Sequence, residues 1–294
     1  MKIKIFISHF SLPESHFGSY DKMMGDLEKL GCHKTQFDYP DSSCVVDSNL
    51  FDLNYYGLTL KQQIDNLCNN DPMIYGTVLN IVFSKYFANH DFVSLRDEAG
   101  EWQSSSELCK CFAYTPSLEF KNMESISEIK SFLVHYDDIL GKFPVSTETY
   151  FSKVVARYKN LVFHEDCLGS MNDFDGDFCN FTISFTKCLS ALDSISPTSE
   201  YDPNANISYI KTLTPYDCTS EGCSRPELSF KFKSGELDEN GEPLFIKLNC
   251  EFHLKPHDSN NPGDSRFYQN RIYFGFLPKG DKRLIAVASV GPHL

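Results

Sequence analysis

Six side chains in the last fifth of this 294-residue sequence have the types and spacing that acid/base chemistry on a phosphate requires: Glu251, His253, Lys255, Arg271, Tyr273 and His293. In residues 244–255 the even positions Leu244, Ile246, Leu248, Cys250, Phe252 and Leu254 are apolar, while Lys247, Asn249, Glu251, His253 and Lys255 follow at odd positions. Side chains alternate across a strand, so this parity predicts one strand with five polar groups on a single face. Residues 271–276 repeat the phase, with Ile272, Phe274 and Phe276 on one side and Arg271 and Tyr273 on the other. His293 follows an apolar run at 283–290 and is expected at the sheet rim, where it can close the same site. Cleaving RNA without a metal needs a base for the 2′-hydroxyl proton, an acid for the leaving 5′-oxygen and fixed positive charge against the phosphate. Glu251 or His253 can be the base, His293 the acid, and Lys255 with Arg271 the charge clamp. Tyr273 can donate to a phosphate oxygen or stack on a base. A solvated sheet face is the plain alternative for any one of these residues. The convergence of two His, two cations, a Tyr and a Glu is what marks a site.

Such a site needs a sheet to hold it. From residue 228 the pattern has period two: Leu228, Phe230 and Phe232 alternate with Ser229, Lys231 and Lys233, and Asn240-Gly241 supplies a reversal. The run at 283–290 is small and apolar on both sides, which fits a central strand. Ahead of the sheet, residues 147–158 carry Tyr150, Phe151, Val154, Val155 and Tyr158 at helical spacing behind a Ser/Thr cap. Residues 178–194 set Phe181, Phe185, Cys188, Leu189 and Leu192 along one helix face. These two helices are expected to cover one face of an antiparallel sheet. Residues 196–226, rich in Ser, Thr, Pro, Asn and Asp, read as a long loop.

The segments Leu248-Asn-Cys-Glu-Phe-His-Leu-Lys255, Arg271-Ile-Tyr-Phe274, Leu284-Ile-Ala-Val287 and Gly291-Pro-His-Leu294 resemble the closing strands of RelE/ParE-type toxins. They also resemble C-terminal domains of bacterial proteins associated with anti-phage defence. With the two helices included, the resemblance covers residues 148–294. It implies a RelE-like α+β module and a metal-independent endoribonuclease that acts on RNA at the ribosome, in the bacterial cytoplasm. It further implies a toxin-antitoxin or defence setting with an antitoxin or defence-system partner. Two departures matter: those toxins are much shorter and basic, whereas this chain is long and acidic. The additional half is then expected to be a sensor, a cover or a partner-binding region.

That half, residues 1–143, reads as mixed α/β, with helices at 20–30, 61–68, 73–87 and 126–135 and an extended segment at 90–95; residues 102–108 are ambiguous. Gly141-Lys-Phe-Pro144 interrupts the periodicity and marks the expected boundary, giving a regulatory region at 1–143 and the α+β module at 144–294. Ile5-Phe-Ile-Ser-His9 is similar to the first strand of a TIR domain, but no repeating parallel-strand pattern is visible after it.

A formal net charge of −13 argues against a chain that coats nucleic acid or anionic membrane with its whole surface. Residues 225–294 hold ten Lys and Arg against nine Asp and Glu, a net of +1 that leaves −14 for residues 1–224, so an anion-binding surface is expected in the tail. The rival function is a non-catalytic module that docks a basic partner through its acidic surface. The 11 cysteines form no Cys-x-x-Cys pair and are expected to be reduced thiols, as in the cytoplasm. No signal peptide or membrane span is expected. His253 and His257 would lie about 13 Å apart on a strand, too far for one ion. Asp173-Phe-Asp-Gly-Asp177 departs from a calcium loop, with glycine at its fourth position and Ser184 where a Glu is needed. No Gly-rich phosphate loop is present, so neither metal nor cofactor is expected.

Overall fold

The structure is a computed structural model that describes residues 2–7, 11–12, 16, 19–52, 54–55, 57–69, 71–82, 88–90, 109–114, 124–126, 128–197, 202–222, 226–237, 239–258 and 269–294. The chain is mixed α+β and divides into two compact units, Met1–Tyr136 and Asp137–Leu294. The expected extended segment at 91–95, the ambiguous stretch 102–108 and the end of the third helix at 83–87 lie outside the described residues.

The first unit contains β1 (Lys2–Ile7), α1 (Tyr20–Gln36), β2 (Ser42–Asp47), β3 (Asn54–Tyr55), β4 (Leu58–Thr59), α2 (Leu60–Leu67), α3 (Pro72–Val82), β5 (Ala88–His90), β6 (Cys109–Tyr114) and β7 (Glu124–Ile126). Five strands form one sheet in the order β5-β2-β1-β6-β7, and every pairing in it is parallel. β1 is central, with Ile3, Ile5, Phe6 and Ile7 buried, as a strand covered on both faces requires. The expectation that no parallel pattern follows Ile5-Phe-Ile-Ser-His9 is therefore corrected. β5 and β7 have three residues each and include Asn, His, Glu and Ser, too short and polar to announce themselves as buried strands. The order, outward from β1 to β5 and then back across to β7, is that of a doubly wound sheet. α2 begins at a capping box in which the Thr59 hydroxyl accepts from the Gln62 N–H while the Gln62 side chain accepts from the Thr59 N–H. Helix α4 (Ile129–Lys142) begins after Ile126, which ends β7. Its Phe132 meets Phe37 edge-on at 5.0 Å, and its Tyr136 lies 5.3 Å from Tyr39.

In the second unit come α5 (Thr147–Arg157), β8 (Leu161–Phe163), α6 (Cys167–Asn172), α7 (Thr182–Asp193) and α8 (Pro203–Leu213). Strands β9 (Cys218–Ser220), β10 (Ser229–Leu237), β11 (Pro243–Asn249), β12 (Phe252–Leu254), β13 (Arg271–Lys279) and β14 (Lys282–Gly291) follow. The main sheet has the order β8-β14-β13-β12-β9. β14 is interior, as its apolar composition predicts. The sheet is mixed and not wholly antiparallel, because β8 joins β14 in parallel. An apolar triplet such as Leu161-Val-Phe163 carries no signal of direction.

α5 and α7 pack together through Tyr150, whose hydroxyl lies 2.9 Å from Thr186 Oγ1. Beside them Arg157 donates to both Asp137 oxygens, at 2.8 and 2.9 Å, with Asp193 at 3.6 Å, so a buried cation is balanced by two carboxylates. The expected loop at 196–226 is corrected: it contains α8, capped by Asp202 with Pro203 in its first turn, and β9. The expected single strand at 244–255 is also corrected. Among the described residues β11 pairs only with β10, in a separate ribbon, and the chain enters the main sheet at β12, three residues later. The ribbon's Phe230, Phe232, Ile246 and Leu248, with Leu228 just ahead of it, pack with Tyr273, Leu277, Ala286 and Ala288, so it lies over one face of β13 and β14. A Cβ on Gly275 would stand 2.8 Å from the Asn249 carbonyl oxygen; only glycine lets the end of the ribbon come so close.

Candidate functional site

Strand register brings the polar groups together. His253 on β12 stands directly opposite Tyr273 on β13 and, on its other side, opposite Thr219 on β9. Tyr273 in turn faces Ser289 on β14. Directly opposed residues point to the same side of a sheet, so Thr219, His253, Tyr273 and Ser289 form one row across four strands. Thr219 Oγ1 is 2.9 Å from His253 Nε2, and the His253 and Tyr273 rings lie 5.3 Å apart. The His293 ring meets Tyr273 edge-on at 6.2 Å.

The row is organised around a carboxylate. Glu221 follows β9, and its N–H donates to the Glu251 carbonyl, which pins the backbone. Its Oε1 accepts from the Tyr273 hydroxyl at 3.2 Å and lies 3.4 Å from His253 Nδ1 and 3.3 Å from His293 Nε2. Three groups capable of donating thus converge on one oxygen. The His253 contact with Glu221 is electrostatic, and the Glu251 backbone also favours the charged ring through a hydrogen bond. Among the described residues the buried Arg271 Nε and Ser289 Oγ have no hydrogen-bond partner. Buried polar atoms nearly always find partners, so these two mark the row as a candidate for receiving a polar ligand.

Burial sets the electrostatics. His253 is 3% exposed, and loss of water pulls its pKa from 6.5 down to about 4, with Glu221 opposing and Arg271 and Lys255 reinforcing. At neutral pH the ring is uncharged. Burial, with the Glu221 charge second, pushes the Tyr273 phenol up to about 12, which keeps it a donor. Burial lowers the Arg271 pKa as well, against the pull of Tyr273 and Glu221; its Nη1 donates to the Asn270 carbonyl at 2.8 Å.

Of the six residues expected from sequence, His253, Arg271, Tyr273 and His293 are brought together. Lys255 lies just past β12, half-buried, where its charge reaches His253 while its N–H donates to the Asp217 carbonyl. Glu251 sits in the break between β11 and β12 and supplies a backbone carbonyl; among the described residues its carboxylate makes no hydrogen bond or ion pair. The carboxylate that faces the histidines is Glu221. Thr219 and Glu221 were hidden in a stretch that reads as a loop, although their i, i+2 spacing around Ser220 is a strand signal.

Among the described residues no group of three or more His, Cys, Asp or Glu is arranged to hold a metal ion. Asp177 caps the short helical turn Phe178–Asn180, and Cys44, Cys68, Cys167, Cys179, Cys188, Cys218 and Cys250 are free thiols. Among the described residues no helix is long and apolar enough to cross a membrane. Comparisons with protein-family models, with curated proteins and with solved structures find no match. The fold and the site therefore define the chain only by class: an α+β protein whose second unit carries a buried polar row gathered around the Glu221 carboxylate.

Proposed function

We propose that the second unit is a RelE-like, metal-independent endoribonuclease, acting as a toxin-like effector in bacterial defence, with the first unit as its regulatory region. The observation that supports this most is the convergence of Tyr273, His253 and His293 on one carboxylate oxygen. In this reading Glu221 takes the 2′-hydroxyl proton. The 2′-oxygen then attacks phosphorus, the bond from phosphorus to the 5′-oxygen breaks, and His293 delivers a proton to that leaving oxygen. The products are a 2′,3′-cyclic phosphate and a 5′-hydroxyl. Arg271, Lys255 and the Tyr273 hydroxyl oppose the charge that builds on the phosphate. His253, neutral and buried, positions Tyr273 through its ring contact.

The test is cleavage of single-stranded RNA by the purified full chain, in chelator, with product ends identified by mass spectrometry. Cyclic-phosphate ends, and a loss of about 100-fold or more for Glu221→Gln and for His293→Ala, are expected. Wild-type levels of cleavage by both variants, or no cleavage by the wild type, would discard the proposal.

A further inference from the structure

We infer that the outer face of the β10–β11 ribbon is a docking surface for single-stranded RNA, with the backbone held by Lys231, Lys233 and Lys247 and one base stacked on Phe245. The inference rests on the ribonuclease reading above and adds to it where the strand lies outside the cleavage row.

The register makes the face explicit. Lys231 stands opposite Lys247, and Lys233 opposite Phe245, all four on one side of the ribbon; Phe232 and Ile246, on the other side, pack inward. Like charges directly opposed across strands destabilise a sheet. All three lysines are exposed, and among the described residues none makes an ion pair with a carboxylate. A protein with a formal net charge of −13 has abundant acids that could have neutralised them. The position therefore holds unneutralised positive charge at a cost to the free ribbon, which a polyanion would offset. Lysines on a strand edge also deter aggregation, but that role does not call for an aromatic ring among them. Phe245 is 57% exposed. A cationic track with an exposed ring is how sequence-tolerant surfaces hold single strands, charge following the backbone and the ring taking a base.

The ribbon also points the right way. β11 ends at Asn249 and the chain passes through Cys250 and Glu251 directly into β12, where His253 stands. From Phe245 to Asn249 the strand spans about 13 Å, and the lysine track ends within a few residues of β12 along the chain.

The probe is an about twelve-nucleotide, fluorescently labelled RNA carrying 2′-O-methyl groups, which cannot be cut through the 2′-oxygen; binding is therefore read apart from catalysis. With the full chain, fluorescence anisotropy over a salt series is expected to show binding that weakens with salt. In the Lys231→Gln, Lys233→Gln, Lys247→Gln triple variant the salt slope falls by about 2, or about 0.7 per lysine. Phe245→Ala weakens binding about tenfold with the slope unchanged. Lys231→Glu weakens binding while holding or raising the thermal midpoint, because a repulsive pair becomes an attractive one; a structural role alone would not give those opposite signs. Undiminished binding by the triple variant overturns the inference. So does lysine-dependent binding to phosphatidylserine vesicles with no binding to the RNA. If the wild type binds and the triple variant does not, the inference stands even where unmodified RNA is left intact, a result that would discard only the cleavage proposal.

Discussion

Replacing His253 with Gln should remove most of one acid-sensitive increment from the stability of the second unit, and the size of that increment follows from burial. Folding lowers the His253 pKa from 6.5 to about 4. Between those values the unfolded chain binds a proton that the folded chain does not, so stability rises with pH and is lost as pH falls below 6.5. Each unit is about 1.4 kcal/mol. At pH 4.5 the increment has cost the wild type about 2 to 3 kcal/mol relative to pH 7, and it is complete below about pH 4. Gln keeps a polar group beside Thr219 and cannot titrate. The assay is urea unfolding of wild type and His253→Gln at pH 7, 5.5 and 4.5, with carboxylate effects cancelling in the difference. His253→Gln should be the less stable protein at pH 7 and should recover by about 2 kcal/mol or more at pH 4.5. A difference independent of pH, or an NMR titration placing His253 near 6.5, would refute the claim that burial holds this ring neutral.

Arg157→Ala should cost about 3 to 5 kcal/mol in chemical denaturation, because it strands Asp137 and Asp193 without their cation in a buried setting. Gly291→Ala drives a Cβ into the Ser170 backbone carbonyl and should cost about 2 kcal/mol or more, with a fall in the thermal midpoint. Thr219→Val removes the partner of His253 Nε2 while keeping a β-branched shape; a loss of about 1 to 3 kcal/mol by urea unfolding is expected. Thr59→Ala, in the first unit, removes one arm of the capping box and should cost about 1 kcal/mol in the same measurement.

The sequence carried much of this architecture where one rule acted over a long run. The parity of Arg271, Tyr273 and Ile272, Phe274 predicted the two faces of β13, and helical spacing located α5 and α7. It failed where a local rule was silent about tertiary choice. An unbroken alternation from 244 to 255 cannot show that the chain leaves one sheet at Asn249 and enters another at Phe252; parity survives the switch while the face does not. For that reason the alternation points to Glu251 and is silent about Glu221. The Asp202-Pro203 pair that opens α8 is a legible helix start, with the Asp202 side chain accepting from the Ala205 N–H, yet the surrounding Ser, Thr and Asn outweighed it. The parallel sheet of the first unit was not legible: β5 and β7 have three residues each, and the six-residue β2 and β6 are too short for periodicity alone to mark them as buried strands.

The strand order β8-β14-β13-β12-β9 has a consequence for how the protein is made. The interior strands β13 and β14 follow all the helices of the second unit described above, while the outer strand β8 emerges more than a hundred residues before its neighbour β14. A nascent chain that has reached Asn249 owns helices with apolar faces but not the platform on which the histidine row is assembled. Pairing across so long a separation is slow, so the row is assembled only after β13 has been made, well after the helices of its own unit.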